Sequence, residues 1–132
     1  MSPQLLELLW FSFLETLLMV GVAGMSAVVF GIPLGVALSV TAKDAMLQNG
    51  PVNKVLGTII NATRSVPFVI LMVAIIPLTR LIAGTSIGTS AAIVPLAIAA
   101  IPFMARIAEN ALREVDPGLV IAARAMGATP GQ

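Results

Sequence analysis

Between Glu15 and Lys43 the chain carries no charge, from Thr16 to Ala42, a stretch longer than the ~20 residues a helix needs to cross a bilayer core. Upstream, Leu5, Leu6, Leu8, Leu9 and Phe13 continue the apolar pattern while Glu7 and Glu15 are left to face water. The helix therefore starts ahead of Trp10, a residue suited to a membrane interface. A second apolar run, Val55 to Leu78, is interrupted by Arg64 near its start, contains Pro67 and Pro77, and closes at Arg80. A third, Ala91 to Ala105, contains Pro95 and Pro102 and continues past Arg106. The pattern predicts membrane spans at about 10–42, 56–79 and 89–112. Between them lie a passage with the turn signals Asn49-Gly50 and Gly50-Pro51 and a Gly/Ser/Thr-rich loop, Leu81 to Ser90.

Composition supports the membrane reading. Of 132 residues, 58% are hydrophobic and 10% charged, against roughly 25% charged in a soluble domain, and the mean hydropathy is +1.05. A formal charge of +1 supplies no broad basic surface for a phosphate backbone, so nucleic-acid binding is excluded. With no Cys and no His, zinc sites with N/S ligands, thiolate nucleophiles and disulfides are excluded too. No Gly-Lys pair occurs, hence no phosphate loop; any ATP must be hydrolysed by a partner. Met1-Ser2-Pro3-Gln4 lacks the basic front end of a signal peptide, and the first span is expected to be retained.

Lys43, Lys54, Arg64, Arg106, Arg113 and Arg124 fall on one side of three alternating spans and Arg80 alone on the other. The positive-inside rule makes the first side cytoplasmic and places the amino terminus outside.

Small residues recur every fourth position in span one: Ala23, Ala27, Gly31, Gly35 and Ser39. Such a stripe lets helix backbones approach closely, although Ala and Gly are also common in membrane helices generally. Pro33 within it removes a backbone donor. Repeated prolines fit the bent helices that transporters place beside their pathway. After span three, Arg106, Glu109 and Arg113 have the spacing of surface ion pairs on a helix emerging into water. Asp116 then caps, and Pro117 opens, a short helix to Met126 that Gly127 closes. Leu119, Ala122, Ala123 and Met126 share one shallow face of it. Thr129-Pro130-Gly131-Gln132 has the form of a further helix start, from which a longer parent polypeptide is expected.

The residues Glu109-Asn110-Ala111-Leu112-Arg113-Glu114-Val115 and Leu119-Val120-Ile121-Ala122-Ala123-Arg124-Ala125-Met126-Gly127-Ala128-Thr129-Pro130 resemble the EAA cytoplasmic loop of ABC importer permeases. Arg64-Ser65-Val66-Pro67-Phe68, Ile76-Pro77-Leu78-Thr79-Arg80, Gly84-Thr85-Ser86-Ile87-Gly88 and Ala91-Ala92-Ile93-Val94-Pro95-Leu96 extend the likeness to methionine-import permeases over nearly the whole chain.

The resemblance implies an all-α integral membrane protein of the bacterial inner membrane, supplying three of the five spans of a type I permease. It also implies a permease homodimer amid membrane lipid, ATPase subunits inside that use the ATP, and a substrate-binding (lipo)protein outside. No catalytic residue, metal or bound cofactor is implied. The loop 113–132 would couple to the ATPase through Asp116, Pro117, Leu119, Ala122, Ala123, Met126, Gly127 and Ala128. The acidic residue that names the loop is replaced by Ile121.

The rival expectations are an importer for another amino acid or small solute, and a truncated permease that only binds membrane partners, pairing through the span-one stripe. An intramembrane enzyme is disfavoured, since no catalytic His, Cys or carboxylate lies within the central spans. A reporter active only outside the cytoplasm should work when fused near Gly84 and fail near Gln48; the reverse pattern would overturn this orientation.

Overall fold

The computed structural model describes residues 1–132, all in helices and their connections. Helix α1 (Pro3–Ser26) opens at Ser2, whose hydroxyl accepts from the Leu5 N–H, with Pro3 at its start where a missing N–H is harmless. It passes through a π-helical turn (Ala27–Gly31) into α2 (Ile32–Thr41). The result is one apolar rod of 39 residues from Pro3 to Thr41. It starts ahead of the expected 10–42 segment and, at 1.5 Å per residue, is roughly 58 Å long. The π turn has a local cause. Pro33 cannot donate, and its ring crowds the carbonyl four residues back, at Val29; a wider turn there relieves the clash.

The segment expected as a single span at 56–79 is not one helix. Asn49 caps α3 (Gly50–Ser65) by accepting from the Val52 N–H. Val66 is forced into extended backbone by Pro67, and α4 (Phe68–Ala74) leaves at 105° to α3. Helix α5 (Ile76–Ala83) carries Pro77 in its first turn and ends at Gly84, whose φ of 77° needs glycine. Helix α6 (Thr89–Arg113) keeps Pro95 and Pro102 inside an unbroken helix, both buried. Last comes α7 (Pro117–Ala125). The rod and α6 are each long and apolar enough to cross a membrane, and the bent α3–α4 pair qualifies if taken as one broken span.

Helices α2 and α6 run side by side and parallel: Gly31 faces Ile101 and Met104, and Gly35 faces Ala105, Ala108 and Glu109. A Cβ on Gly35 would lie 2.5 Å from the Ala105 carbonyl oxygen and 2.6 Å from the Ala108 Cβ. Ala23, Ala27, Gly31 and Gly35 are buried and Ser39 is half-buried. The stripe is covered by α6 of the same chain, so it is not the free pairing face that the truncated-permease reading needs.

Leu38, Ile60 and Ala105 form the core where α2, α3 and α6 meet, with Leu34 and Leu56 packed on it. The Asn53 amide donates to the Leu38 carbonyl (2.7 Å) and to Thr41 Oγ1 (3.3 Å), tying α3 to α2.

Both expected ion pairs form, Arg106–Glu109 and Arg113–Glu109, the latter at 2.6 Å. Their setting differs from the expected surface. Glu109 is 1% exposed, on a stretch of α6 whose backbone, at the Ala105 carbonyl and the Glu109 N–H, lies against Gly35. Arg106 also donates to Asn61 Oδ1 (2.6 Å), joining α6 to α3. A buried carboxylate of this kind is stable only while its partners remain.

Glu109→Ala is therefore expected to destabilise the protein by about 3–5 kcal/mol. Arg113→Ala, which leaves Glu109 buried but still paired with Arg106, should cost less, about 1.5–3 kcal/mol for the lost charge-assisted hydrogen bond. Gly35→Ala should cost about 1–3 kcal/mol through overpacking, whereas Gly21→Ala, with nothing within 4 Å, should stay within about 1 kcal/mol of wild type. Denaturation midpoints in mixed micelles check both pairs.

Candidate functional site

Only Glu114, Val115 and Asp116 separate α6 from α7. The Asp116 carboxylate accepts from the Gly118 N–H at 2.8 Å and Pro117 occupies the first turn, which fixes where α7 begins. Its end is fixed equally tightly. The Gly127 N–H donates to the Arg124 carbonyl and the Ala128 N–H to the Ala123 carbonyl, with Gly127 at φ 87°, a complete Schellman stop. Beyond it the Gln132 side chain accepts from the Thr129 N–H at 2.9 Å, the return half of a capping box.

The face expected from Leu119, Ala122, Ala123 and Met126 is divided. Leu119 and Ala123 line a shallow groove of about 210 Å³ with Ala128, while Ala122 and Met126 lie outside it. Ala123 and Ala128 are half-buried; Leu119, Ile121 and Met126 are exposed. Met46 completes the groove from the turn after α2, a contribution absent from the sequence expectation. Its only signal is the apolar pair Met46-Leu47 in a turn that also carries Lys43, Asp44, Gln48 and Asn49. That turn is held by the Leu47 and Asn49 N–H groups donating back to the Val40 and Thr41 carbonyls, with Asp44 at φ 64°. The groove offers shape and apolar contact to a docking surface.

A larger concavity lies at the α3–α4 break. It measures about 610 Å³ and is walled by Thr63, Val66, Phe68, Leu96, Phe103 and their neighbours, with Arg64 among the lining residues. Arg64 is thus not at the beginning of the second apolar segment but near the end of α3. It sits ten residues, about 15 Å along the helix, beyond Lys54. The start of α3 at Gly50 puts Arg64 within the α3–α4 pair, which is long and apolar enough for a span only when the two helices are taken together. Without Arg64 the charge asymmetry persists, with Lys43, Lys54, Arg106, Arg113 and Arg124 set against Arg80.

The chain is 58% identical over 131 residues to the probable D-methionine transport system permease protein MetI of Vibrio cholerae, covering 99% of this chain and 56% of the relative. It is 49% identical over 132 residues to the D-methionine transport system permease protein MetI of Escherichia coli K12, covering 100% of this chain and 61% of the relative. It thus spans 56–61% of the length of these curated relatives. Among solved structures, inward-facing MetNI methionine ABC transporter in its CY5 native crystal form superposes with a TM-score of 0.96 at 49% identity, over 100% of this chain and 61% of that one. The family model of binding-protein-dependent transport system inner membrane components matches residues 9–132. With helices, order and sequence agreeing over that range, the chain belongs to the binding-protein-dependent transport system inner membrane components.

Proposed function

We propose that this chain is the membrane-spanning and coupling part of a permease subunit in an ATP-driven importer for methionine, L- or D-, in the bacterial inner membrane. In this reading the amino terminus faces outward and α7 lies inside the cell, against an ATPase subunit that carries out the hydrolysis. The permease works as a homodimer, surrounded by lipid, and receives substrate from an extracytoplasmic binding (lipo)protein. The observation that carries the reading is the likeness to methionine permeases along the whole chain, joined to an apolar, doubly capped helix fixed to the end of a long span. Closure of the ATPases would shift the permease between its two states by binding one of them more tightly. The coupling contacts are assigned to Asp116, Pro117, Leu119, Ala122, Ala123, Met126, Gly127 and Ala128. Asp116, Pro117, Gly127 and Ala128 set the two ends of α7, and Leu119 and Ala123 are accessible in its groove.

Ile121 is 66% exposed, so a carboxylate there would meet the partner without disturbing the chain. Co-purification with the ATPase, of this chain and of a version extended to the length of its relatives, tests the assignment, followed by ATP-dependent uptake of labelled methionine. Retention of the ATPase and accumulation of methionine by the extended version are expected; failure of both sinks the proposal. Ile121→Glu is expected to tighten ATPase binding by about 1.5–3 kcal/mol, roughly 10- to 150-fold, through a charge-assisted hydrogen bond. An unchanged dissociation constant would refute that contact.

A further inference from the structure

We infer that Arg64, at the break between α3 and α4, receives the carboxylate of an amino acid whose apolar side chain lies in the cavity beside it; this rests on the importer reading above. Arg64 is the cation in the wall of the 610 Å³ concavity, a volume in the range that small-molecule sites use. Within residues 1–132 no carboxylate pairs with it. Both ion pairs of the chain end on Glu109, and the remaining acids lie in α1 (Glu7, Glu15), in the turn after α2 (Asp44) and at the α6–α7 junction (Glu114, Asp116).

The contrast with Arg106 is informative. Arg106 is engaged by Glu109 and Asn61 and serves the fold, whereas Arg64 is exposed to the cavity with no such ties. At the break of a pair that together is long and apolar enough for one span, a cation is costly unless it lines a polar path or meets an anion. A guanidinium suits a carboxylate in particular, because its planar fork offers two parallel N–H donors.

The other walls define the rest of the ligand. Phe68, Leu71, Leu96 and Phe103 present apolar surface, suited to an aliphatic or thioether side chain. The last turn of α3, whose carbonyls have no intrahelical donors, ends at the same break. It is the end of a helix that favours positive charge, which suits an α-ammonium group. Arg64 and the end of α3 thus provide for both charges of a zwitterion, and the cavity for its side chain.

The test uses the assembled transporter, permease extended to the length of its relatives with its ATPase, purified without the binding protein. Equilibrium binding of labelled methionine, norleucine and leucine is measured for wild type, Arg64→Gln and Arg64→Lys. Methioninol, in which an alcohol replaces the carboxylate, serves as competitor. Arg64→Gln is expected to weaken binding by about 10-fold or more, Arg64→Lys by less, and methioninol should compete poorly with the wild type. Equal affinity in Arg64→Gln, effective competition by methioninol, or no binding of any of the three amino acids to wild type would overturn the site. So would unchanged affinity accompanied by loss of co-purifying phosphatidylglycerol, which would make Arg64 a lipid contact. Should Arg64→Gln fail to assemble, the methioninol competition on wild type decides alone. Uptake separates the two readings. Methionine transport unaffected by Arg64→Gln sinks the site and leaves the importer standing; Arg64-dependent binding of norleucine or leucine without methionine transport sinks the methionine reading and leaves the site.

Discussion

A carboxylate can leave water only if its charge is matched where it lands, and at Glu109 the match comes from its own helix. Arg106 and Arg113 lie one turn before and one turn after it and bracket the carboxylate. Gly35, with no side chain, lets the backbone of α6 come close on this same stretch. Arg106 then uses its remaining donors on Asn61 of α3. The cluster around one acidic residue thereby fixes where α3 lies against α6, and Gly35 fixes how closely α2 approaches it. Asn53 reinforces the same junction from the other side by holding the free carbonyl of Leu38. The apolar contacts of Leu38, Ile60 and Ala105 are laid out around these polar ties, and dispersion alone, without a hydrophobic drive in lipid, would choose their geometry less sharply.

The uncharged lengths of chain identify the long spans, because hydropathy over twenty residues is a property of sequence alone. The caps of α7 are equally legible, as Asp-Pro and Gly act within a turn of themselves. What could not be read depends on partners distant in the chain. Proline shows the difference best. Pro102 is tolerated inside α6 and Pro67 stops α3, yet both sit in apolar surroundings, and only packing decides between bend and break. The start of α3 at Gly50 was hidden for the same reason, in residues polar enough to pass for loop. The burial of Glu109 was hidden because i,i+4 spacing describes its ion pairs and says nothing of the helix opposite.

The junction of α6 and α7 converts this packing into a lever. Helix α6 is the element that the rod, α3 and α5 all touch, and the link to α7 is short and capped at both sides. In the coupling role proposed for α7, a displacement would not be absorbed by a slack linker and would reach α6, which the Arg106–Asn61 contact ties to α3.

The π turn at Ala27–Gly31 sets the angular phase of the long rod. Residues four apart on an α-helix advance by about 40° beyond a full turn, so a strict four-residue stripe wanders around the helix. From Ala23 to Gly35 the drift would reach roughly 120°, carrying one end of the stripe off α6. A wider turn holds more residues per revolution and takes back part of that rotation, and all of Ala23, Ala27, Gly31 and Gly35 remain buried. Pro33 therefore does more than interrupt a hydrogen bond. By forcing the turn to widen, it keeps the two halves of the rod in angular register with a single neighbour, α6.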